Sequence, residues 1–83
     1  MSKNWIVYII ECSDQSLYTG ITIDLTRRIE EHNSNKGAKY TKGKGPFKII
    51  HTENYPNRSQ ATKRELEIKK LNKKAKLHLA NYQ

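Results

Sequence analysis

Cysteine occurs once in the 83 residues, at Cys12, so no internal disulfide can form and a reducing cytoplasm is the expected location. No apolar run is long enough to span a membrane. The Met1-Ser2-Lys3-Asn4 start leads directly into a strand-like segment, so no export signal is expected either. Acidic side chains are few, 8 Asp and Glu against 16 Lys and Arg, for a formal charge of +8. That balance favours a polyanionic partner, most commonly nucleic acid, although a ribosome-associated or simply basic protein would share it. A zinc site lacks its ligands, because one cysteine and three scattered histidines form no tetrahedral set. Ser13 and Ser16 have no base at motif spacing, and Lys42-Gly43-Lys44-Gly45 does not fit a phosphate loop. At this length a single domain over residues 1–83 with a small core is expected.

What is present begins with two short apolar runs, Trp5 to Ile10 and Leu17 to Thr22, joined by Cys12-Ser13-Asp14-Gln15-Ser16. Their aromatic and β-branched content predicts a β-hairpin. A turn centred on Asp14 sets Ile10 opposite Tyr18 and Tyr8 opposite Gly20. The two tyrosines then share one face as diagonal neighbours, roughly 7–8 Å apart. Gly20 leaves space beside Tyr8. Such a pair is either a reactive floor or a packed aromatic cluster.

Asp24 suits a helix N-cap, followed by Leu25 and Ile29 as a narrow apolar stripe, with Arg28 and His32 stacked on its flank and Gly37 as the stop. Lys36 to Gly45 reads as a mobile loop. Either Lys39, Tyr40, Lys42 and Lys44 fold onto a phosphate backbone with Tyr40 stacking on a base or sugar, or the loop is solvated and makes no contacts. Pro46 to Glu53 predicts a third strand, with Phe47, Ile49 and His51 on one face and Lys48, Ile50 and Thr52 on the other. His51 is expected half-buried. A helix from Arg58 to Leu71 would bury Ala61, Ile68 and Leu71. Glu65 falls in that apolar stripe and therefore needs a partner, either Arg28 in a salt bridge or a metal ion. Glu67 points away, among Lys63, Arg64 and Lys70. Asn72 caps a last helix, Lys73 to Tyr82, facing inward through Ala75, Leu79 and Tyr82, with His78 in solvent. The order β-β-α-β-α-α predicts an α+β fold, a three-stranded antiparallel sheet flanked by helices.

Val7-Tyr8 followed by Tyr18-Thr19-Gly20 resembles the paired motif of the GIY-YIG nuclease superfamily. Ile6 replaces the first motif glycine and Thr19 the middle isoleucine. Asp24 to His32 is similar to the family's next helix, with Arg28 and His32 in the functional positions. Arg64 to Leu71 looks like the helix after the third strand, with Glu65 as metal ligand. Ile21 stands where some relatives have lysine. The closest likeness is to small stand-alone bacterial members, and it covers nearly the whole chain.

The resemblance implies phosphodiester hydrolysis, with Tyr8, Tyr18, Arg28, His32 and Glu65 as the catalytic set. Glu65 would anchor a single Mg²⁺ or Mn²⁺, a hard ion that retains several waters. Arg28 would hold a non-bridging oxygen through its planar fork. Tyr8 or Tyr18 would take the proton of the attacking water, Tyr8 being favoured because His32 can orient or deprotonate it. Lys69 and Lys73 would flank the substrate, and five phosphate-neutralising lysines would give a log–log salt slope of about −4 to −5 on duplex DNA. The expected activity is therefore a metal-dependent endonuclease of low base specificity, acting on duplex or branched DNA, in repair or recombination. The alternatives are a non-catalytic nucleic-acid-binding module and an accessory protein whose partner supplies substrate specificity.

Overall fold

The computed structural model describes residues 4–81. Strands β1 (Trp5–Glu11) and β2 (Leu17–Thr22) form the expected hairpin. Its turn is closed by the Cys12 amide donating to the Ser16 carbonyl at 2.8 Å and the Gln15 amide to the Cys12 carbonyl at 2.9 Å. Asp14 accepts from both the amide and the hydroxyl of Ser16, an arrangement that favours aspartate in tight turns. The register pairs Ile10 with Tyr18 and Tyr8 with Gly20, as the alternation predicts. Strand β3 (Lys48–Tyr55) joins the other side of β1, giving an antiparallel sheet of order β2-β1-β3.

Helices α1 (Leu25–Asn33), α2 (Arg58–Lys69) and α3 (Lys73–Leu79) complete the α+β arrangement, with one 3-10 turn at Lys39–Thr41. Asp24, Asn57 and Asn72 cap the three helices, each accepting from the amide three residues on at 3.1, 2.9 and 2.8 Å. A cap of this kind contributes about 1 kcal/mol. None of these helices is long and apolar enough to cross a membrane.

Alternation along β1 sends Val7 and Ile9 to one face, where they meet Ala61 and Ile68 of α2. Trp5, Ile21, Ile50, Tyr55 and Leu79 pack around this cluster. Each fully buried aliphatic side chain contributes about 1.5–3 kcal/mol of transfer free energy. Tyr8 and Ile10, equally buried, point to the opposite face.

Several expectations are corrected. The third strand begins two residues later than predicted, and a bulge at Ile50 splits its faces: His51 pairs with Ile9 and Ile49 with Ile10. Ile49 and His51 therefore do not share a face, and Ile50 joins the core. Helix α1 stops at Ser34 rather than at Gly37, with Asn35 in the left-handed region at φ 62°. Helix α2 ends at Lys69, leaving Leu71 in the following turn and 37% exposed instead of buried. The last helix ends at Leu79 with Ala80 as its C-cap, short of the predicted Tyr82, which itself lies outside the described residues.

Arg64 does not join the outward basic face. Its Nε and Nη2 donate to Glu53 at 2.8 and 3.2 Å, and the Tyr55 hydroxyl donates to the same carboxylate at 2.6 Å. His51 Nε2 lies 2.7 Å from the other Glu53 oxygen. Burial alone would raise the Glu53 pKa, but these partners, Arg64 foremost, bring it down to about 2. The cluster ties α2 to the β3 edge of the sheet.

Candidate active site

Tyr8 is fully buried, and its phenol crosses the strand pair above Gly20. A Cβ on Gly20 would stand 2.5 Å from the Tyr8 hydroxyl and 3.1 Å from Cε2 of Tyr18. The space opened by the glycine is thus filled by the Tyr8 phenol itself. Tyr18 lies alongside, with ring centroids 6.4 Å apart and planes at 45°.

Helix α1 places two side chains over this floor because Arg28 and His32 are one turn apart. His32 is wholly buried, and its Nε2 lies 3.0 Å from the Tyr8 hydroxyl. Tyr18 meets the imidazole edge-on at 5.4 Å, and Phe47 flanks it at 5.6 Å. Burial first, then the positive charge of Arg28, lowers the His32 pKa; Glu31 opposes them weakly. The ring is therefore neutral at physiological pH.

Arg28 pairs with Glu31 at 3.1 Å, and the nearby Tyr8 phenol holds its pKa up. The Tyr8 pKa is raised, chiefly by burial; Arg28 opposes the rise, while Tyr18 and Glu65 add to it. Arg28 also lines a cavity of about 270 Å³, shared with Trp5, Asp24, Arg27 and Glu31. Arg27 is largely exposed and pairs with Glu31 at 3.7 Å.

Glu65 comes from α2, which covers the other face of the sheet, and its side chain is 16% exposed. Its ion-pair partner is Lys69 at 3.4 Å, not Arg28. The carboxylate is within electrostatic reach of the Tyr8 phenol, since its charge contributes to the raised pKa there. Among the described residues no three His, Cys, Asp or Glu side chains converge on one point. A half-buried carboxylate held, among the described residues, by a lysine alone fits a hard divalent ion that keeps most of its waters, and does not fit an all-protein cage.

The segment from Lys36 to Gly45 is not a free loop. Tyr40 stacks on Tyr18 at 6.0 Å and 25°, and the Lys44 ammonium lies 3.9 Å over the Tyr40 ring. Lys44 is also 3.5 Å from Asp14, and its carbonyl accepts from the Ser13 amide at 2.8 Å. Gly43 donates its amide to Asn35 at 2.8 Å. Lys39, Lys42 and Lys73 are exposed, whereas Lys69 is committed to Glu65.

Sequence reasoning passed over Thr41. It is buried, and its hydroxyl lies 2.7 Å from His32 Nδ1. The available signal was its being the one β-branched residue in a stretch of lysine and glycine. Gly37 was also misassigned, since a Cβ there would collide with the imidazole of His32.

Comparison with known proteins places this geometry in context. The profile of the GIY-YIG catalytic domain matches residues 4–78. A UPF0213 protein of Haloquadratum walsbyi is 53% identical over 80 residues, covering 96% of this chain and 90% of that protein. One from Oceanobacillus iheyensis is 45% identical over 83 residues, covering 100% and 96%. The solution NMR structure of a UPF0213 protein from Bacillus halodurans is similar with a TM-score of 0.61 and 47% identity, over 94% of this chain and 83% of that one. A solution NMR structure from E. faecalis gives 0.64 and 43%, over 95% and 85%.

Proposed function

This chain belongs to the GIY-YIG family of catalytic domains, a nuclease family whose members generally act with a divalent metal ion, and on that premise we propose that it is a metal-dependent endonuclease hydrolysing DNA phosphodiester bonds with low base specificity. The observation that carries this reading is the contact between Tyr8 and a buried, neutral His32, with Arg28 near enough to act electrostatically on the same phenol.

Hydrolysis requires a water to lose a proton as its oxygen bonds to phosphorus, while the bond from phosphorus to the 3′ oxygen breaks. Free phenolate is unfavourable at Tyr8, whose pKa is raised by burial. A relay avoids that cost: the water gives its proton to the Tyr8 oxygen as Tyr8 passes its own to His32 Nε2. Arg28 holds a non-bridging oxygen through its fork and stabilises the growing charge. Glu65 is the residue that would hold Mg²⁺ or Mn²⁺, which supplies charge stabilisation at the phosphate and leaving oxygen. Tyr18 packs against both partners and completes the floor.

Low base specificity follows from the absence, among the described residues, of an element shaped to read base edges. The exposed lysines offer backbone contacts, which position without specifying sequence. A role on branched or damaged DNA fits such a surface.

The decisive experiment is nicking of supercoiled plasmid with Mg²⁺ or Mn²⁺ by wild type, Glu65→Gln and Arg28→Ala. Wild type alone should nick. Equal nicking by all three, or salt-sensitive binding with no cleavage of linear, forked or single-stranded DNA, defeats the proposal.

A further inference from the structure

The Thr41 hydroxyl sits at the far end of the hydrogen-bond chain that runs from Tyr8 through His32, and a hydroxyl has a single proton to give. Thr41 Oγ1 lies 2.9 Å from the Ala38 carbonyl, an atom that can only accept. The hydroxyl proton goes there, so at 2.7 Å the His32 Nδ1 must be the donor to Thr41. The ring is neutral, so with Nδ1 carrying the proton Nε2 is bare, and the Tyr8 hydroxyl at 3.0 Å donates to it. The Thr41 end of the chain thus sets the tautomer that the Tyr8 end uses.

Water cannot substitute for Thr41. His32 is fully buried, and Gly37 closes on the Nδ1 side so tightly that a Cβ there would overlap the ring. The charged and titratable groups around the imidazole are Tyr8, Tyr18, Arg28 and Glu31; neither Tyr18 nor Phe47 makes a hydrogen bond to it.

We infer that Thr41 is a positioning residue: by accepting the Nδ1 proton it fixes His32 as the Nδ1–H tautomer and leaves the Nε2 lone pair to receive the Tyr8 proton. The catalytic consequence rests on the nuclease reading; the tautomer does not. Outer hydrogen bonds of this kind decide which ring nitrogen can act.

Long-range ¹H–¹⁵N correlation spectra of labelled protein at neutral pH read both nitrogens of each ring, and His32→Gln identifies the His32 signals among three histidines. Wild type should show a protonated Nδ1 and a bare Nε2. Thr41→Ser should keep that pattern. Thr41→Val, which preserves the shape but removes the acceptor, should lose it and lower kcat for plasmid nicking at least about tenfold with KM within about twofold. A protonated Nε2 in wild type, or an unchanged pattern in Thr41→Val, overturns the assignment. A changed tautomer with undiminished nicking overturns the positioning role. If Thr41→Val does not fold, the wild-type spectrum still decides the tautomer. Wild type that nicks nothing sinks the nuclease reading alone.

Discussion

Gly20 stands opposite Tyr8 across the hairpin, and the phenol oxygen occupies the position that a side chain at Gly20 would need. The glycine is therefore part of the site although it contributes no functional group. Gly20→Ala forces either the phenol or the strand to move. We expect a loss of about 1–3 kcal/mol from overpacking, read by urea denaturation, together with loss of nicking. Full activity in a stable Gly20→Ala protein would show that Tyr8 need not sit where it does.

Glu53 makes stability depend on acid. Its pKa falls from 4.5 to about 2 in the folded state, so the stabilisation is complete above the unfolded value and disappears as pH drops towards 2. The shift corresponds to roughly 3 kcal/mol. Urea unfolding of wild type and Glu53→Gln between neutral pH and pH 2 should show a steeper acid decline in wild type. Parallel curves would mean that Arg64, Tyr55 and His51 do not hold this carboxylate as described.

Thr19 has a buried hydroxyl with no partner among the described residues. An unsatisfied buried polar atom costs about 1–3 kcal/mol, and valine has nearly the same shape. Thr19→Val should therefore raise stability by about 1 kcal/mol, measured as a higher urea midpoint at unchanged slope. Destabilisation would reveal a partner for the hydroxyl.

DNA binding should weaken steeply with salt. If the exposed Lys39, Lys42 and Lys73 each neutralise one phosphate, the log–log slope is about −3, shallower than five lysines would give because Lys69 is held by Glu65 and Lys44 by Asp14 and the Tyr40 ring. Lys39→Ala and Lys42→Ala, both at exposed positions, should each make it shallower by about 1. A slope near zero, or one unmoved by these changes, removes the phosphate-tracking role from the loop.

Features governed by neighbours a few residues away were legible in the sequence. The Tyr8–Gly20 register followed from period-2 alternation and a turn residue, and the caps at Asp24 and Asn72 from side-chain chemistry at helix starts. Within the site, the Tyr8–Tyr18 pair followed from the register of one hairpin and the Arg28–His32 pair from spacing in one helix. Contacts that join elements were not legible. The bulge at Ile50 depends on how β3 lies against β1, and Glu53 finds Arg64 only after α2 folds back on the sheet. Thr41 reaches His32 from a segment whose lysines and glycines give no periodic signal. Leu71 matched the helical period, but the helix had already ended.

The stack of Lys44 on Tyr40 on Tyr18 has a thermodynamic consequence. A segment already immobilised against the protein loses little further freedom when a ligand arrives, so association is spared most of the entropic penalty of freezing a loose strap. Discrimination among nucleic acids then falls to the contour that stands ready beforehand, favouring backbones whose curvature matches it over those that would have to remould it.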